Sequence, residues 1–202
     1  MKKKFLIASS IAALSSVAQA STVFSDSFEA NSLGLNVTPA GWTVTSGTVD
    51  VIGPGFFDLI PGSGKYIDLD GSTNDAGILS RTLSLVGGTQ YIASFDLAGN
   101  HRSATLETVT GIFGVGLGNV SASFSLAQNV GWTTYSLVFT PTATDNYVLS
   151  FSNSGGDNIG MLLDNVKVVT APVPEPETYA MMLAGLGLLG LMARRRKQKL
   201  NA

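Results

Sequence analysis

From Ser21 to Thr170 the chain alternates apolar and polar residues in short runs, and no convincing helix interrupts them. Tyr91, Ala93, Phe95 and Leu97 share one strand face, with Ser94 and Asp96 opposite. Tyr135, Leu137 and Phe139 repeat the pattern, and so do Tyr147, Leu149 and Phe151. Turn chemistry separates the runs at Gly53-Pro54-Gly55, Pro61-Gly62-Ser63-Gly64, Gly87-Gly88 and Gly155-Gly156-Asp157. About ten strands at this spacing predict an all-β domain over 21–170, a two-sheet antiparallel β-sandwich. There is no cysteine, so core burial, aided at most by a metal, must hold such a sandwich together.

Both ends read as processing signals rather than fold. Lys2, Lys3 and Lys4 precede an apolar stretch from Phe5 to Val17 and then Ala18-Gln19-Ala20. A basic start, a short apolar run and an A-x-A site describe a secretory signal peptide over 1–20, cut after Ala20 so that the mature chain begins at Ser21. At the other end, 171–177 is a Pro/Glu linker containing Pro174, Glu175 and Pro176. Residues 178–193 carry no charge, and Arg194, Arg195, Arg196, Lys197 and Lys199 follow within the tail 194–202. As a helix, 178–193 spans about 24 Å, slightly short of a hydrocarbon core ~30 Å thick. Tyr179 and snorkelling cations cover the deficit. The segment is therefore read as a transmembrane helix, with Arg194 to Lys197 as a stop-transfer signal in the cytoplasm and everything before it outside. The two prolines resist helix and keep the linker extended, where a protease can bind it.

Removing both ends changes the charge. Four basic and twelve acidic residues lie between Ser21 and Pro172, a net of −8, against −2 for the whole chain. An acidic domain with so few cations has no phosphate-binding footprint, so nucleic acid is excluded as a partner, while divalent cations and neutral sugars stay open.

Val173-Pro174-Glu175-Pro176-Glu177, a Gly/Leu/Met-rich span and an Arg-rich end together resemble the PEP-CTERM sorting signal of Gram-negative bacteria. That resemblance implies export through the Sec machinery and signal peptidase, and transient anchoring in the inner membrane. It also implies processing near the motif by an exosortase, a membrane cysteine peptidase, in organisms that make exopolysaccharide. Within the domain, FSDSFEAN (24–31), GWTVTSGTVDVI (41–52), GKYIDLDG (64–71), YIASFDLAGN (91–100), GWTTYSLVFT (131–140) and LLDNVKVV (162–169) resemble galactose-binding-like jelly rolls and carbohydrate-binding modules. In such jelly rolls the glutamate of the opening "FE" and the aspartate of the closing "LDNV" often hold a structural calcium ion, which points to Glu29 and Asp164. Calcium takes 6–8 oxygens, so other groups would complete the site. Alternation over 162–169 places Asp164 on one face with Leu162, Val166 and Val168, where a carboxylate needs a partner, a hydrogen bond or a metal. A strand-end carboxylate accepting backbone N–H bonds is the alternative.

Other candidates for chemistry are weaker. Asp68, Asp70 and Asp75 in DLDGSTNDAG fail as an EF-hand, because Thr73 and Leu79 stand where its glycine and bidentate glutamate belong, so a solvated loop is expected. The glycines of Gly111–Gly118 have a period of two, which fits a strand with Phe113, Val115 and Leu117 facing the core rather than a nucleotide loop. His101 is the only histidine, no G-x-S-x-G elbow occurs, and no carboxylate pair stands out, which argues against hydrolysis and zinc. Trp42 and Trp132 each follow a glycine at a strand start, and either pack in the core or stack on sugar rings. The reading that follows is an exported, non-catalytic cell-surface or matrix protein. A carbohydrate-binding module for exopolysaccharide is the alternative, and an exported hydrolase a weaker one.

Overall fold

The alternating runs form strands in which every second side chain is buried: Tyr91, Ala93, Phe95 and Leu97 all point into the core. The structure, a computed structural model, describes residues 20–172, 180 and 182–191. Its strands are β1 (Thr22–Asp26), β2 (Thr43–Val44), β3 (Asp50–Ile52), β4 (Tyr66–Asp68), β5 (Ile78–Leu85), β6 (Tyr91–Ala98), β7 (Glu107–Gly114), β8 (Val120–Leu126), β9 (Thr133–Phe139), β10 (Asp145–Asn153) and β11 (Leu162–Thr170). They form two antiparallel sheets, as the spacing predicts. One runs β3-β4-β11-β6-β9, with β1 also on β11; the other runs β2-β5-β10-β7-β8.

Between the sheets the aromatics meet edge to face or tilted. Phe95 sits 4.8 Å from Phe151 and 5.5 Å from Phe124, and Phe113 lies 5.1 Å from Phe139. Each fully buried Phe stabilises the sandwich by roughly 1.5–3 kcal/mol. The strand β11 holds one sheet together: β6 lines one side of it, while β4 and β1 share the other. Ser21 is tied to the same strand, its N–H donating to Thr170 Oγ1 at 2.9 Å.

Two expectations change. The pairing of β11 with β6 breaks register between Asp164 and Lys167, and Asn165 there has φ of 49°. This bulge switches the phase of the strand. Leu163, Val166 and Val168 face the main core, whereas Leu162 belongs to a separate cluster on the other face. Asp164 therefore does not share a face with Val166 and Val168. The glycine-rich stretch also departs from a continuous strand. β7 ends at Gly114, whose φ is +127°, and a 3-10 turn follows at Gly116–Gly118. Val115 is consequently 46% exposed rather than in the core. The Leu117 side chain lies outside the described residues.

Residues 20–171 form one compact unit. In the C-terminal part, residues 182–191 are helical with exposed side chains. Among the described residues no helix is long and apolar enough to cross a membrane. The expected signal peptide with Ala18, the motif Pro174-Glu175-Pro176, both ends of the expected span 178–193 and the cluster Arg194 to Lys197 lie outside the described residues. Ala20 and Ser21, on either side of the expected cleavage point, are exposed.

Candidate functional site

The six-stranded sheet carries apolar side chains on both faces. Val51, Ile67, Leu97 and Leu163 point into the main core, while their neighbours Ile52, Tyr66, Ala98 and Leu162 form a buried cluster on the outer face. The β3–β4 connection, residues 53–65, folds over that cluster and places Phe56, Leu59 and Ile60 against it. Tyr66 fastens this strap: its hydroxyl accepts the N–H groups of Leu59 at 2.6 Å and Ile60 at 2.9 Å, and lies 3.2 Å from Asp58 Oδ1. Burial pushes the Tyr66 phenol up to about 12. Trp132 fastens the far end, its Nε1–H donating to Ser63 Oγ at 2.8 Å.

A cleft of about 200 Å³ opens beside the strap. Leu35, Ile52, Phe57 and Leu59 supply its apolar lining, and Asp50, Asp68, Ser72, Arg102 and Asn158 its polar one. Phe57 is 61% exposed and has φ of 50°, a conformation that bulky residues rarely adopt. Its ring stands edge-on to Phe56 at 5.0 Å. An exposed ring at a cleft mouth is a surface on which the apolar face of a sugar can stack.

The carboxylates below are strongly tied. Asp50 and Asp68 are direct cross-strand partners. Asp50 Oδ1 accepts from the N–H groups of Asn36 at 2.7 Å and Ser72 at 3.2 Å, and Oδ2 accepts from Ser72 Oγ at 2.8 Å. Asp68 Oδ1 accepts from the Asp70 N–H at 3.1 Å, and Oδ2 pairs with Arg102 Nη2 at 2.5 Å. Arg102 is held in turn by Asn100, whose Oδ1 accepts the Arg102 and Ser103 N–H groups at 2.8 Å each. Burial pushes the Asp68 carboxyl up to about 8, with the Arg102 guanidinium opposing. Asp70 is fully buried and neither carboxylate oxygen has a hydrogen-bond partner. Burial, then the charges of Asp157 and Glu107, push it up to about 7. Asp68 and Asp70 are thus part of the interior rather than of a solvated loop; Asp75 is exposed as expected.

The other sequence candidates fall elsewhere. Trp42 is a core residue: Phe24, Phe28 and Phe151 surround its ring at 5.7, 5.7 and 6.3 Å, and its Nε1–H donates to Asp26 Oδ2 at 2.8 Å. Only 6% of it is exposed, which leaves no face for a sugar. Trp132 is half-buried under the strap, 5.5 Å edge-on from Tyr66. His101 turns Nε2 to the Val130 carbonyl at 3.3 Å instead of to a carboxylate.

Glu29 is exposed, its Oε1 accepting the Lys65 N–H at 2.9 Å. Asp164 is buried, with Oδ1 accepting the Asn165 N–H at 2.6 Å. Burial, followed by the charges of Asp96, Glu29 and Asp26, pushes Asp164 up to about 7. Among the described residues no three acidic or histidine side chains are gathered to hold a metal.

Sequence reasoning missed Phe57 and the cleft. Phe56-Phe57 between two glycine turns was the available signal, since two large apolar residues in a turn-rich segment need cover from somewhere.

Comparison with known proteins places the fold. The fold is similar to the CBM22-1 xylan-binding domain of Paenibacillus barcinonensis Xyn10C, with a TM-score of 0.54 at 15% identity over 78% of this chain and 99% of that one. The tandem CBM22-1-CBM22-2 domain of the same protein gives 0.54 at 17% identity, over 82% of this chain and 48% of that one. The C-terminal family 22 carbohydrate binding module of Clostridium thermocellum Xyn10B gives 0.50 at 14%, over 76% and 96%. At such identities the likeness establishes the jelly-roll fold. No curated protein matches the chain. Residues 172–197 match the PEP-CTERM protein-sorting motif, which indicates export and membrane-anchored sorting in Gram-negative bacteria. The sandwich, residues 21–169, matches the family described as protein of unknown function DUF642, and the chain belongs to that family.

Proposed function

We propose that this is an exported, non-catalytic protein of the cell surface or extracellular matrix, whose sandwich binds exopolysaccharide through the cleft at Phe57. The observation that carries the reading is the Phe57 ring, 61% exposed at the mouth of a cleft lined by Asp50, Ser72, Arg102 and Asn158. Ring stacking on Phe57 and hydrogen bonds from the polar groups are the two contacts a pyranose chain uses. Carbohydrate-binding modules with this fold support the assignment. Lack of catalysis is supported by the carboxylates themselves. Each oxygen of Asp50 and Asp68 is already engaged by a protein donor, the arrangement of a structural network. Exopolysaccharide from the native host should be retained in affinity electrophoresis, and Phe57→Ala should weaken binding about tenfold without altering the melting temperature, consistent with stacking worth ~1–1.5 kcal/mol. Undiminished binding by Phe57→Ala, or turnover of the glycan, overturns the reading.

The same reading includes a signal peptide cut at Ala20, a membrane span over 178–193 and exosortase cleavage near Pro174 to Pro176. It also includes a structural calcium ion on Glu29 and Asp164. The donor chemistry suits a hard cation: oxygen ligands, and a carboxylate raised first by its burial and then by the charges of three other acids. Carbonyl oxygens would complete the shell. The ion would pin β1 to β11, which already pair. EDTA should lower the melting temperature of calcium-loaded protein by several degrees, and Asp164→Ala should remove that sensitivity; no EDTA effect sinks the calcium site.

A further inference from the structure

The two sheets end very differently on their two sides. On one side the terminal strands are β2, two residues long, β3, three residues long and further bridged through Val51 to Gly34, and β1, five residues long, with a break in its register and Asp26 at its end. Short or covered edges of this kind are how sandwiches avoid pairing with other chains. On the other side the terminal strands are β8 and β9, each seven residues long. Among the described residues no strand pairs with their outer edges. Neither strand contains proline, lysine or any other charge, and neither pairing shows a bulge. Charge, proline and bulge, three of the usual protective devices, are thus missing from both strands.

The two bare edges also lie together. Phe124 of β8 and Tyr135 of β9 meet at 4.6 Å, so both sheets are open along the same side of the sandwich. The charge distribution marks this side again. From Thr108 to Thr144 there is no Asp, Glu, Lys or Arg, although residues 21–172 carry −8. Elsewhere two copies would repel one another; here they meet as neutral surfaces. Serines 121, 123 and 125 stand exposed along β8, and hydroxyl contacts from Thr108 to Ser125 at 2.8 Å and from Thr110 to Ser123 at 3.0 Å hold them against β7.

We propose that the β8/β9 side is a self-association surface, on which a second copy of this chain docks edge to edge. A two-fold axis along this side pairs β8 with β8 and β9 with β9 at once, so the unpaired N–H and C=O groups of both sheets are satisfied and the assembly closes as a dimer.

The chain has no cysteine, so single labelling sites are clean. The test is the intermolecular spin-label distance in the full-length chain in mild detergent, labelled at Ser123→Cys on β8 or at Thr82→Cys on β5. Strands lie ~4.8 Å apart, so labels at 123 should be within about 20 Å of each other. β5 is three strands inward in each copy, so seven spacings should put labels at 82 roughly 34 Å apart. Adding Ser121→Lys and Ser125→Lys should abolish the short distance at 123 while the circular-dichroism spectrum and melting temperature stay near those of the parent. A folded chain showing no short distance at 123 overturns the proposal. So do equal distances at both sites, which would mean association through the tail, and a short distance that survives the lysines.

Discussion

Asp70 has no hydrogen-bond partner for either carboxylate oxygen, although no part of the residue reaches solvent. An ionised carboxylate in that position is disfavoured, which is why the acid holds its proton up to about pH 7, with Asp68 beside it raised to about 8. Unfolded, both ionise near pH 4. The folded state therefore binds more protons than the unfolded one between about pH 4 and 8, and stability falls as pH rises through that window. Melting temperature should decline steadily from about pH 4 towards pH 8. Asp70→Asn removes the charge without changing shape, so at pH 8 it should stabilise the fold by on the order of 1–2 kcal/mol and flatten the decline through pH 7. Urea unfolding of both proteins at pH 5 and 8 checks this; a destabilising Asp70→Asn at pH 8 contradicts it. The residues DLDGSTN read as a turn because turn-forming types dominate them. Asp68 to Gly71 are nonetheless buried, because residues far away in sequence cover them: Met161 O accepts the Leu69 N–H at 3.1 Å, and a Cβ on Gly160 would lie 2.4 Å from Asp70 N. Nothing local encodes that contact.

At the scale of elements, the strap 53–65 is the part of the molecule that shapes the cleft. It is rich in glycine and proline, and few of its backbone groups pair with a strand. Tyr66 compensates by taking two of its N–H groups on one hydroxyl. Tyr66→Phe keeps the ring but leaves the Leu59 and Ile60 N–H groups without that acceptor, and should destabilise the domain by about 1–3 kcal/mol. Amide exchange at Leu59 and Ile60 should accelerate more than at core positions such as Phe95. Uniform acceleration would mean that the strap has no separate stability. The strands themselves were legible because alternation at period two directly sets which face is buried. The bulge at Asn165 was not, since LLDNVKVV shows no glycine or proline to mark it. Asn tolerates the left-handed conformation that the bulge needs, and that was the one clue available.

For the whole molecule, the domain and its two ends answer to different physics. The sandwich, −8 in net charge, is built to be folded in water, whereas the ends carry eight of the twelve cations and the apolar runs. Intact mass and C-terminal peptide mapping of protein from the native host should show a chain that starts at Ser21 and ends near Pro174 to Glu177. A chain retaining Arg194 to Lys199 would make the tail a permanent anchor, and the sorting motif would not then act as a cleavage signal.

The sequence by itself determined the fold class, the strand faces of β6, β9 and β10 and the sorting tail, because each depends on local periodicity or on a contiguous motif. Tertiary structure alone decided that Trp42 lies in the core, that Asp68 and Asp70 are interior, and that Phe57 stands at a cleft beside Arg102. It also decided that β8 and β9, more than a turn apart in the chain, end both sheets on one side. These are contacts between residues more than ten positions apart. They are set by which strands pair, and a pattern read along one strand carries no information about its neighbour.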